Sequence, residues 1–227
     1  MNQLPTYKKD DALRCSYCME EIMNAETIPD EMGMTVCSHC RAKSVKDVIY
    51  DCCLASGSAA PVEMATHLMK FPGFKMHCPE HHFLVPAVLL SAYSNCVGNG
   101  KDKLDKWLMA ASQRSEKVPG AFCGTHGSCG AAVGTGMFIS IITGATPYKT
   151  EEWKLTNSMT GRSLLKMAAY GGPRCCKRVS FVAIQEACAF LNESFNVSLS
   201  VPEKIECTFH PENQECLKND CPFYPLS

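Results

Sequence analysis

"GAFCGTHGSCGAAVGTGMFISIITGATP", residues 120–147, is the stretch on which the reading of this chain turns. Two thiols and an imidazole, Cys123, Cys129 and His126, stand among glycines directly ahead of an apolar run. The glycines let backbone approach closely and leave amide N–H groups bare. The run itself predicts a helix over residues 129–143, broken by "TGATP". Its small residues, Gly130, Ala131, Ala132, Gly134 and Gly136, allow another helix to pack tightly against it. Cys129 falls at the start of that helix, where unpaired N–H groups and the helix dipole favour a thiolate or a bound anion. No lysine occupies the Walker position, so the stretch is not a P-loop.

The next thiols downstream are adjacent, Cys175 and Cys176 in "GGPRCCKR", residues 171–178. Gly171, Gly172 and Pro173 predict a tight turn ahead of them. Neighbouring cysteines do not readily serve one small tetrahedral ion. They can serve an iron–sulfur cluster, or one can ligate while the other takes part in chemistry. Arg174, Lys177 and Arg178 surround them with positive charge, which favours thiolates and can grip a substrate carboxylate or phosphate. A surface basic turn with two incidental thiols is the plainer alternative.

Working outward, the pattern stays helical. Ser44 is placed to cap "VKDVIYDCCLA", and Pro61 to open "PVEMATHLMK". "HCPEHHFLVPAVLLSAY" puts His77, Cys78, His81 and His82 at the head of an apolar helix. Asp102 can start "KLDKWLMAASQR", and Thr150 can cap a helix from residue 151 to about 169. The last helix, "VSFVAIQEACAFLNESF", lines Val179, Val182, Ala183, Glu186 and Phe190 along one stripe. "NVSLSVPEKIECTF" is the one good strand candidate. The expected fold is mainly α.

The two ends of the chain carry further ligand sets. "CSYC" and "CSHC" supply Cys15, Cys18, Cys37 and Cys40. Two Cys-x-x-Cys turns aim four sulfurs at one point, a tetrahedral S₄ site for Zn²⁺ or, as in rubredoxin, one iron. A small zinc-ribbon-like module built on these four cysteines is therefore expected over residues 1–43, followed by a helical iron–sulfur domain over 44–227. The module has little core of its own, so metal binding should supply much of its folding energy. At the other end Cys207, His210, Cys216 and Cys221 form a third cluster, either a site of their own or a completion of the central one.

Composition supports metal chemistry. Sixteen cysteines in 227 residues, with no apolar leader in "MNQLPTYKKDDALR", point to a reducing, cytoplasmic setting where thiols hold metals rather than disulfides. The sequons at Asn192 and Asn196 are then chance matches. A net charge of −1 gives no electrostatic case for nucleic acid or a membrane surface, although zinc ribbons often contact nucleic acid. The apolar runs are too short to span a bilayer.

"CPEHHFLVPAVLL", the 120–147 stretch, "GGPRCCKR" and "CPFYP" together resemble an uncharacterised Cys-rich family of anaerobic archaea and bacteria, a domain of unknown function sometimes joined to methyltransferases. The resemblance covers roughly residues 50–225. A second likeness concerns mechanism. The order from Cys129 through its small-residue helix, a second helix and a Gly-Gly-Pro turn to "CCKRVSFVAIQEA" is similar to iron–sulfur L-serine dehydratases and cysteine desulfidases. There three cysteines hold a [4Fe–4S] cluster whose open iron binds substrate. The likeness implies Cys129 as first ligand and Cys175 or Cys176 as last. The middle cysteine is due near Leu164 or Leu165, where this chain has none, so the other member of the pair, Cys123 or a tail thiol must substitute.

The expected activity is that of a [4Fe–4S]-dependent lyase or desulfidase acting on a small anionic or sulfur-containing substrate. His81, His82 and His126 are candidate bases, because imidazole titrates near working pH. Arg174, Lys177 and Arg178 are candidate substrate anchors. The candidate metal ligands are Cys15, Cys18, Cys37, Cys40, Cys78, Cys123, Cys129, Cys175, Cys176, Cys207, Cys216 and Cys221. The competing reading is a non-catalytic iron–sulfur carrier, electron-transfer or redox-sensing protein serving a methyltransferase system, with the N-terminal module docking a protein partner. A homodimer is compatible with either.

Overall fold

The computed structural model describes residues 14–18, 20–22 and 34–225. Its elements are helical: α1 (Ser38–Ala42), α2 (Val45–Ala55), α3 (Pro61–Met69), α4 (Glu80–Val97), α5 (Lys101–Ser115), α6 (Phe122–Thr125), α7 (Gly130–Thr143), α8 (Thr150–Ala169) and α9 (Cys176–Phe195). Two short 3₁₀ turns, His210–Glu212 and Lys218–Asp220, follow in the tail. The described residues contain no strand, and no helix among them is long and apolar enough to cross a membrane.

Local chemistry sets most of these boundaries. Ser44 caps α2 by accepting from the Asp47 N–H, and Pro61 is the first residue of α3. Gly98 and Gly144 end α4 and α7 in the left-handed conformation, at φ 72° and 65°. Two expected starts move, by two residues and by one. Lys101 and Thr150 are already helical, behind Gly100 and Lys149.

The expected strand at "NVSLSVPEKIECTF" is absent. Its alternating apolar residues are used differently: Leu199 and Ile205 are buried against the helices. The segment has no regular secondary structure, and backbone groups such as the Ser200 N–H, which donates to Ala59 O, find isolated partners instead of a neighbouring strand.

α7 is the central element, packed against α8, α4, α5 and α9. Its small residues make this geometry accessible. A Cβ on Gly134 would lie 2.8 Å from Cδ of Pro86 in α4, and one on Gly136 would lie 2.0 Å from Oγ1 of Thr160 in α8. On the other side α4 is buried almost all round, with Leu84, Val85, Val88, Leu89 and Leu90 inaccessible to solvent. Each such side chain contributes about 1.5–3 kcal/mol through removal from water. α8 and α9 are further joined at the surface by Arg162, whose Nε donates to Glu186 at 2.7 Å and whose Nη1 pairs with Glu193.

The described part of the N-terminal module lies on this body. Tyr17 sets its ring 5.0 Å from Phe71 and 4.8 Å from His67. His67 Nε2 lies 2.7 Å from Ser16 O, and the Cys52 thiol donates to Tyr17 O at 3.0 Å.

Candidate functional site

The thiols gather in three places. The first is the pair of knuckles. Sγ atoms of Cys15, Cys18, Cys37 and Cys40 all lie within 4.8 Å of one another, a group that could hold one metal ion such as zinc. The spacing approaches the roughly 3.8 Å edge of a tetrahedron built on 2.3 Å metal–sulfur bonds. Backbone N–H groups point at the sulfurs: Tyr17 and Cys37 donate to Cys15, and Cys40 donates to Cys37. Burial raises the Cys15 thiol, but the N–H groups of Cys37, Cys18 and Tyr17 outweigh it and bring the group down to about 7. Burial pushes Cys18 up to about 11 and Cys40 higher still. Loading an ion here therefore displaces protons.

The second place is a cavity of about 450 Å³ between α4, α6, α7, α8 and the head of α9. Cys123, Cys129 and Cys176 line it, together with His81, His82, Arg174 and Arg178. Exposed residues Gly124, Gly127, Gly171, Gly172 and Arg174 form its rim, so it opens at the surface. Cys129 is the N-cap of α7, as its sequence position implied, although its side chain makes no capping hydrogen bond. Burial raises its thiol, against a smaller lowering by the nearby N–H groups of Ala131 and Ala132. Burial also takes Cys176 up to about 11 against the N–H of Cys78. The expectation that helix start and basic residues would leave free thiolates is corrected here: desolvation is the larger effect in the metal-free chain.

The third place is a small enclosed cavity of about 10 Å³ under the tail, lined by Cys175, Cys207, Cys216 and Cys221 with His210 and Asn213. Burial brings Cys207 up to about 11.

The three histidines expected as bases diverge. His126 is exposed, stacked on Phe122 at 4.0 Å and bonded to Thr125 Oγ1, and does not line the cavity. His81 is buried, with Nδ1 3.0 Å from Cys78 O and Nε2 buried without a partner. Burial, aided by Lys177, holds it neutral, well below its ordinary value. His82 is half-buried, with Nδ1 3.1 Å from Val118 O. A carbonyl only accepts, so in both neutral rings Nδ1 carries the hydrogen and Nε2 offers a lone pair. The His82 ring lies over Gly130, at the head of α7.

The basic residues also divide. Arg174 is exposed at the rim, where an anion can reach it. Arg178 is buried, and its Nη2 donates to Gly171 O at 2.9 Å and to Pro173 O at 2.8 Å, which pins the turn before the cysteines. Lys177 does not line the open cavity. Its Nζ is buried over the rings of Phe74 and Phe209, at 4.4 and 4.8 Å, and donates to Met69 O at 3.4 Å. Burial takes it down to about 8. Two of the three expected anchors are thus structural. Cys78 also stays out of the cavity lining; its thiol donates to Lys75 O at 3.4 Å, and its N–H lowers the Cys176 thiol without offsetting burial.

Sequence reasoning missed two supporting partners. Val118 O orients His82 across 36 positions of chain, a contact with no local signal. Asn213 Nδ2 donates to Cys175 Sγ at 3.5 Å, and its place between "HPE" and "QEC" reads only as a turn.

No curated protein and no solved structure matches the chain. Residues 49–224 match the model of a family described as a family of unknown function (DUF5714), a span that starts beyond the four knuckle cysteines. The chain belongs to that family of unknown function.

Proposed function

We propose that the open cavity holds an iron–sulfur cluster on Cys123, Cys129 and Cys176, and that the protein is a lyase- or desulfidase-type enzyme for a small anionic substrate. One observation carries the reading: three thiols from three separate elements line a single surface-open cavity of about 450 Å³ that also contains an exposed arginine. The donor set fits. Cys129 is the N-cap of α7 and Cys176 is the first residue of α9, so both sulfurs stand at helix starts, where unpaired N–H groups favour a thiolate ligand. Cys123 lines the same cavity as Leu164, near which the dehydratase-like pattern has its middle cysteine, so it is the thiol proposed to substitute.

A cluster with three protein thiolates supplies Lewis acidity toward a hydroxyl or sulfur leaving group. The chain's own residues supply the rest. Arg174 at the rim pairs with a substrate carboxylate. His82, neutral and with Nδ1 tied to Val118, takes up a proton on Nε2. The rigid pair of Arg178 bonds to Gly171 and Pro173 keeps the cavity wall from collapsing.

The test is anaerobic purification followed by EPR spectroscopy with and without L-serine or L-cysteine. The reading expects a cluster signal that shifts on substrate addition and disappears in Cys123→Ala. Arg174→Ala should keep the signal but need more substrate to shift it. A signal indifferent to every anionic substrate, and unchanged in Cys123→Ala, defeats it.

A further inference from the structure

Cys175 and Cys176 are adjacent in sequence but serve different cavities. Cys176 lines the open one, whereas Cys175 lines the enclosed one beneath the tail. We infer that Cys175, Cys207, Cys216 and Cys221 form a second metal centre, a closed iron–sulfur cluster with four cysteine ligands. This inference does not depend on what the open cavity binds.

Three observations converge on it. First, donors are aimed at the sulfurs. Arg178 N and the buried Asn213 Nδ2 both point at Cys175 Sγ, at 3.4 and 3.5 Å, and Lys218 N points at Cys216 Sγ at 3.4 Å. A buried side-chain amide spent on a neutral thiol gains little, because sulfur accepts weakly until it is ionised.

Second, Lys177 is a buried cation without a carboxylate partner. No carboxylate among the described residues lies within salt-bridge distance of it, and its polar contact is a carbonyl. Its chain neighbours Cys175 and Cys176 present their sulfurs to the two cavities, and Phe209 of the tail lies against its ammonium. A buried lone charge is costly unless compensated. Thiolate-ligated metal beside it provides that compensation.

Third, the tail is built so that a crosslink would strengthen it. Residues 201–225 contain two 3₁₀ turns and no longer element. Their buried apolar side chains are Ile205, Phe209 and Phe223. Few apolar anchors thus tie this segment to the helical body. A metal joining three tail cysteines to the head of α9 would hold it.

The sulfurs are also spread too far for one ion. The knuckle cysteines are the one group among the described residues whose ligand atoms all come within 4.8 Å. The tail thiols instead line one cavity together without closing to that distance, the wider spacing of ligands shared among several irons.

Iron, acid-labile sulfide and zinc per chain, measured on the anaerobically purified full-length protein, test this. Cys207→Ser/Cys216→Ser should lose about four irons and four sulfides relative to wild type, with zinc unchanged. Because that variant can also fail to fold, the reciprocal one is measured beside it. Cys123→Ala/Cys129→Ala should retain about four irons with the spectrum of complete cysteine ligation. Iron and sulfide unchanged in the tail variant, or zinc lost in their place, overturns the inference. So does a reciprocal variant that keeps its helices but no iron.

Discussion

A Cβ on Gly130 would lie 2.1 Å from Cδ2 and 2.4 Å from Nε2 of His82. The imidazole therefore rests directly on the first residue of α7, beside Cys129. Gly130→Ala must push the ring or the helix away, at about 1–3 kcal/mol by overpacking. We expect a melting temperature lowered by several degrees and impaired iron retention, read by thermal unfolding and iron assay. Ala at Gly124, whose Cβ would meet nothing within 4 Å, serves as the control and should match wild type in both.

Arg178 holds the Gly171–Pro173 turn through two carbonyls from one guanidinium nitrogen. Lysine has the charge but not the planar fork. Arg178→Lys should loosen the turn that precedes both cysteines and lower iron content at both sites. A variant with wild-type iron content would show that the turn is held otherwise.

Loading of the open cavity should depend on pH. Burial takes Cys176 up to about 11 and raises Cys129 above its ordinary value. Near neutral pH both are protonated in the metal-free chain, so loading releases protons and tightens as pH rises. Reconstitution of the metal-free protein with iron and sulfide at pH 6.5, 7.5 and 8.5 (roughly spanning the range below those values) should give increasing occupancy. A flat profile would mean that these thiols are not the ligands.

Cys15→Ser removes one of four sulfurs that lie within 4.8 Å of each other. Zinc content should fall by about one ion per chain, while iron stays the same. Tyr17 is buried on Phe71 and His67, so protease resistance of the amino-terminal segment should fall with it.

What the sequence disclosed follows from locality. The helices announced themselves through Ser44, Pro61, Gly98 and Gly144, each of which acts within a few residues of itself. The knuckles were legible because four ligands in two short turns leave little choice of partner. Lys177 and Arg178 could not be told from Arg174 in the same way. All three are cations in one octapeptide, and only their burial, Lys177 against Met69 O and Phe209 and Arg178 against the carbonyls of its own turn, makes two of them supports instead of ligands for an anion. The separate allegiance of Cys175 and Cys176 was equally hidden. It depends on where the tail folds back, which Phe209 and Phe223 decide from more than thirty residues away. The strand misread at residues 196–209 had the right alternation but no partner edge to join.

Pro86 has no N–H to give, so the carbonyl of His82 one turn earlier lacks its usual helical partner, and the ring of Pro86 fills the space where a side chain at position 134 would go. This couples the two positions. With Pro86 in place, a methyl group on residue 134 meets a rigid ring at 2.8 Å, so something must shift. With alanine at position 86, the closest remaining neighbour is the His82 carbonyl at 3.3 Å, a tight contact but a smaller conflict. Gly134→Ala should therefore cost less stability in the Pro86→Ala background than in the wild-type chain, a difference that a double-mutant cycle reads directly.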